Sequence, residues 1–196
     1  MTTVTSGSST WRYEEDKLKE LLLYVAQRLF GTSKNGSIKL NKILFFSDAY
    51  AYAITGKPIT GVTYIRRRFG PAPQGIVDIQ NKLSMAGDAE IVELHGLGRT
   101  QKIVIPKRDP NLALFTAPEI KMVDAVIDAL TDMDTDFVSE MSHTLEGWRS
   151  AQEGEPIPYF TIFLDNSPLN LRDLEVGKVI AEQLKDDLDK FATARA

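Results

Sequence analysis

The chain has 196 residues, 43% apolar and 26% charged, with a net charge of −4, two histidines and no cysteine. That length and apolar content suffice for one substantial core, and the missing cysteines exclude thiol nucleophiles, thiolate metal sites, iron–sulfur clusters and any disulfide framework. The apolar runs are short and interrupted by charge, so nothing spans a bilayer and the composition is that of a soluble, cytoplasmic protein without a membrane partner.

The first residues, MTTVTSGSST, are small and polar and lack the basic start and apolar centre of a secretory signal. Residues 1–12 therefore read as a disordered tail, followed by one domain. From Tyr13 to Phe30, Leu18, Leu21, Leu22, Val25, Ala26 and Leu29 keep helical spacing and Gly31 supplies a stop. Ser37 can cap a second helix, in which Leu40, Ile43, Leu44 and Ala51 share one side while Phe45, Phe46, Tyr50 and Tyr52 widen the apolar girth. A helix apolar over so much of its circumference belongs at the centre of the core. Gly56 and Pro58 end it. Val62–Phe69 alternates and is rich in β-formers, which predicts a strand, and Pro73 opens a third helix over about Gln74–Met85.

Ala89–Leu94 and Gln101–Ile105 are β-prone runs joined through Gly96 and Gly98, the pattern of a hairpin or wing. Thr116 and Glu119 stand at capping-box spacing around Pro118, so a fourth helix starts there. A fifth covers Asp134 to about Thr144. A last long helix follows Asn170, with Leu171, Leu174, Ile180, Leu184, Leu188 and Phe191 inward. The fold class is α+β: a mostly helical single domain with a small antiparallel sheet or hairpin wing.

Charge divides along the chain. Residues 34–108 hold 12 Lys and Arg against 5 Asp and Glu, whereas residues 109–196 hold 7 against 18. Either the two halves pair with each other, or the basic part serves an acidic partner.

Catalytic constellations are weak. His95 lies in a glycine-rich turn, and Ser142 and His143, adjacent on a helix, point about 100° apart. Asp136, Glu140 and His143 share a face through spacings of four and three and could hold a metal, but an acidic helix face with one histidine is more simply solvated or ion-paired. Phe137, Met141, Leu145 and Trp148 form the opposite, core stripe. The Gly96–Gly98 turn opens no helix and so has no phosphate cradle. The reading is a non-enzyme with no catalytic residue, no metal and no cofactor.

The basic strand is the strongest binding feature. With a period of two, Tyr64, Arg66 and Arg68 fall on one face, opposite Ile65 and Phe69, which want the core. An exposed tyrosine flanked by guanidinium groups is a hot spot for a protein partner, could grip phosphates, or could pair with the chain's own acidic half. A sequence pI of about 5.3 and the absence of a basic recognition helix speak against nucleic acid.

KLNKILFFSDAYAYAITGKPITG followed by YIRRRFGPAP resembles the opening of the Panacea domain, the SocA-like antitoxin domain: Lys39 and Lys42 on the helix, Gly56 and Pro58 at its stop, Gly70 and Pro71 after the strand. Ser142-His143 through Trp148, with Gly154 and Pro156 beyond, is similar to the family's second block. Together the blocks bracket roughly residues 13–160, with residues 13–196 then forming a Panacea-like domain and its C-terminal helix. The resemblance implies an antitoxin-like protein of bacterial or phage origin that neutralises a cognate protein toxin by direct binding. It also implies the alternative of a proteolytic adaptor that delivers the toxin to a protease unfoldase; a nucleic-acid-binding regulator is the reading from another class. The three successive arginines depart from the family's common strand pattern.

Overall fold

The computed structural model describes residues 11–32, 36–96 and 99–164. The polar start of the chain, the Leu97–Gly98 turn and the helix expected after Asn170 lie outside the described residues. Helices α1 (Glu15–Leu29) and α2 (Ser37–Thr55) form the centre. Leu18, Leu21, Leu22, Leu23, Val25, Ala26 and Leu29 of α1 are fully buried, and so are Ile43 and Leu44 of α2. The wide apolar girth of α2 has the consequence expected of it: α1 covers one side, α4 (Ala117–Thr131) and α5 (Thr135–His143) cover another. Phe45 is 1% exposed, whereas Phe46 is only partly buried. Gly56 ends α2 in the left-handed region at φ 74°, where its N–H donates to the Tyr52 carbonyl; a side chain there would strain the cap.

The strand expected over Val62–Phe69 is shorter. Only β1 (Tyr64–Ile65) forms a ladder, antiparallel to β2 (Ala72–Pro73) on one side and to β5 (Pro156–Ile157) on the other. Beyond Ile65 the chain turns back on itself, with Gly70 N–H donating to the Arg67 carbonyl. The β-propensity of the run is overridden by this turn, which returns the chain as β2. The third helix accordingly starts later than expected: Pro73 belongs to β2, Gln74 N–H donates to Thr63 O, and α3 spans Ile76–Met85.

The hairpin is present and longer than expected. β3 (Ala89–Gly96) and β4 (Arg99–Pro106) pair antiparallel, Ile91 opposite Val104, with His95 in the strand rather than the turn. β3 lies against α3 and β4 against α1 and α2. The capping box at Thr116 forms as read: its side chain accepts from Glu119 N–H while the Glu119 carboxylate accepts from Thr116 N–H. A short helix, α6 (Glu146–Ser150), follows α5, and a 3-10 turn at Tyr159–Phe163 packs on α2. Trp11 joins the core edge, its ring 5.3 Å from Tyr52 and 5.7 Å from Tyr159. Among the described residues no helix is long and apolar enough to cross a membrane.

Candidate protein-interaction surface

Several of the motif positions, Lys42, Gly70, Pro71 and Trp148, meet at one turn, residues 66–71, whereas Lys39, Gly56 and Pro58 lie elsewhere along and after α2. Lys42, 2% exposed, rises from α2 beneath it and donates to the Pro71 carbonyl at 3.0 Å. Burial alone drives its pKa down to about 7, because the charged ammonium loses its water and no carboxylate replaces it. Gly70 sits at φ 96°, and a Cβ there would collide with Ser142 Oγ and with Cε of Lys42. Ser139 Oγ donates to Phe69 O, and Trp148 Nε1 donates to Arg67 O. The turn is thus held from below by α2 and from the side by α5 and α6.

Lys39, fully buried one turn earlier on α2, acts the same way on another segment. Its Nζ donates to Thr131 O at 2.8 Å and Met133 O at 2.5 Å, placing a donor on carbonyls at the end of α4 that the helix itself leaves unpaired. Both lysines of the motif are therefore clamps on backbone carbonyls inside the protein. Asp48 makes a third clamp from the same helix. Its buried carboxylate accepts from Thr60 N–H and Oγ1–H and from the Tyr64 hydroxyl, at 2.7, 2.6 and 2.9 Å. Burial raises its pKa, and these donors pull against that rise.

Tyr64 is the main correction to the sequence reading. It was expected on the exposed face and is 1% exposed, its ring edge-on to Phe45. Ile65 is buried as well, because β1 is central in its sheet and covered on both faces, so period-two alternation does not sort inside from outside. Phe69, expected inside, is 49% exposed on the turn. Arg66 is half-buried: its guanidinium lies 4.2 Å from the centre of the Trp148 ring and donates to the Ala151 carbonyl. Arg67 reaches Glu153 at 3.5 Å. Of the expected trio only Arg68 remains exposed, beside the Phe69 ring.

His143 stacks on Trp148 at 3.9 Å with an interplanar angle of 16°, continuing the pile that Arg66 begins. Desolvation lowers its pKa, with Glu140, 3.9 Å from Nδ1, opposing. Among the described residues no group of three or more His, Asp and Glu side chains comes close enough to hold a metal, so Asp136, Glu140 and His143 are not gathered into a ligand set. Ser142 turns its hydroxyl to the Ser139 carbonyl, not to His143.

One feature of the surface was not anticipated. An apolar groove of about 550 Å³ opens between α2, α4, α5 and the Tyr159–Phe163 turn. Its walls are Phe45, Phe46, Ala49, Tyr50 and Ala53 on one side and Ala125, Val126, Ala129, Leu130 and Met133 on the other, closed by Met141, Leu145, Ile162 and Phe163. Among the described residues no charged side chain lines it. The signal was available in the spacing of Ala49 and Ala53 against Ala125 and Ala129, small residues on two packed helices that leave a slot where larger ones would meet.

Residues 40–149 match the model of the antitoxin SocA-like, Panacea domain family. The chain belongs to this family, as the two sequence blocks implied, and the matched span contains the Lys42 clamp, the Gly70-Pro71 turn, His143 and Trp148. No match was found among curated proteins or among solved structures.

Proposed function

We propose that this protein is an antitoxin that neutralises a cognate protein toxin by direct, stoichiometric binding, without catalysis. Membership of an antitoxin-like family gives the class, and the observation that carries the mechanism is the groove. An open trough of about 550 Å³ lined by fourteen uncharged described residues, with Tyr50 and Phe163 among them exposed, is the kind of surface that soluble proteins cover with a partner. Arg68 and Phe69, held out by the clamped turn, offer a second contact of aromatic and guanidinium character. His143 enters this reading only through its stack on Trp148, which holds the turn.

The test is co-expression with the neighbouring reading frame. A small adjacent gene that arrests growth alone, is silenced by this chain, and co-purifies with it at a fixed ratio is the expected result. Rescue at substoichiometric levels, or rescue without a complex, refutes stoichiometric binding.

A further inference from the structure

We infer that the groove between α2 and α4 receives an amphipathic α-helix from a basic partner, two to three turns long, with its apolar stripe inward and lysine or arginine on its flanks. The inference rests on the binding reading above and adds the chemistry of what is bound. Shape comes first. The two walls run antiparallel, the start of α2 lying by the end of α4 through Lys39 and Thr131, and each spans nine residues, Phe45 to Ala53 and Ala125 to Met133, a rise of about 12 Å at helical spacing. Ala49, Ala53, Ala125 and Ala129 keep the walls low along this length, with Phe45, Phe46, Met133, Met141 and Phe163 bulkier around them. A slot of this kind admits a third helix whose i, i+3 or i+4, and i+7 side chains fill it; the two methionines adapt to different shapes of the same chemistry.

Charge selects the flanks. Residues 124–140, which supply one wall and the start of the next, contain Asp124, Asp128, Asp132, Asp134, Asp136 and Glu140 and no Lys, Arg or His. Arg28 pairs with Asp124 and Asp128 from the far side of α4. Asp132, Asp134, Asp136 and Glu140 are exposed around the α4–α5 corner, immediately beside Met133 and Met141 of the groove. A helix with acidic flanks meets like charge there, whereas a basic one is steered in and held.

Two peptides of about 16 residues, long enough to be helical, separate these effects: both carry the same leucine stripe, one with lysine and one with glutamate on the polar face. Fluorescence anisotropy with the full chain should show the lysine peptide binding at least about tenfold tighter at low salt, the gap narrowing as salt rises. Equal affinities overturn the charge assignment. Ala53→Trp and Ala129→Trp, both at exposed positions, should each weaken the lysine peptide by about tenfold or more through filling the slot, with the melting temperature unchanged. Unweakened binding to well-folded variants overturns the site. Asp132→Lys with Glu140→Lys gives a second handle and should erase the preference between the peptides. A photo-crosslinker at residue 53 should mark the lysine peptide; links only to residues 165–196 or to a second copy refute a foreign helix. In cells, slot-filled variants that still rescue sink this inference alone, whereas failure of the unmodified chain to rescue sinks the antitoxin reading.

Discussion

Lys42→Met tests how the 66–71 turn is held. In the folded chain the ammonium is buried under Gly70 and Pro71 and its pKa falls to about 7, while in the unfolded chain it keeps the ordinary lysine value of about 10.4. Between those values the unfolded chain binds a proton that the folded chain has released, so stability rises with pH from 7 toward 10. At and below pH 7 the burden of a buried charge is fully present. At 1.36 kcal/mol per pH unit, the depression corresponds to about 4 kcal/mol at neutral pH, of which about 2 kcal/mol lifts between pH 7 and 9. Methionine keeps the volume of the stem and removes the titration, but leaves the Pro71 carbonyl without its donor, which costs about 1–3 kcal/mol. The variant should therefore exceed the unmodified protein by about 1–3 kcal/mol at pH 7 and match it near pH 9. Urea unfolding followed by the fluorescence of Trp11 and Trp148 at pH 7, 8 and 9 reads both slopes. An unmodified protein as flat with pH as the variant, or a variant that is less stable at pH 7, refutes the reasoning.

Phe45→Ala should destabilise by about 3–5 kcal/mol and Phe46→Ala by less, since the first is fully enclosed and the second borders the groove; equal losses in denaturant titrations would contradict the burial. Arg66→Glu should lower the melting temperature by removing the stack on Trp148 and the bond to Ala151 O, whereas Arg68→Glu should melt normally and weaken toxin rescue. A normally melting Arg68→Glu protein with full rescue removes the turn from the binding surface. Thr116→Ala should cost about 1 kcal/mol through loss of the capping box of α4; an unchanged unfolding midpoint would show that this helix start contributes nothing.

The two central helices, the hairpin and the capping box were legible because each is written locally: 3.6-residue spacing of leucines in α1, β-prone runs separated by glycines, Thr116 three residues before Glu119. The motif lysines were legible as a pattern but not as chemistry. That Lys39 and Lys42 point inward to carbonyls 92 and 29 residues away depends on where α4 and the 66–71 turn return to α2, and lysine's type alone predicts an exposed head. α6 was missed because five residues carry too little periodicity to register.

By itself the sequence determined the helical, cysteine-free α+β class and the order of its main elements, which follow from propensity, periodicity and local turn chemistry, and its family, through the likeness of its two motif blocks to the family's own. The tertiary structure decided which side chains are left on the surface. Tyr64 and Arg66 changed sides because Phe45 of α2 and Tyr159 close over the Tyr64 ring and Trp148 arrives from far along the chain beside Arg66. The groove exists only because two alanine-bearing faces, separate in sequence, pack side by side. Exposure is a property of what covers a residue, and in this chain the covering elements come from 80 or so residues away.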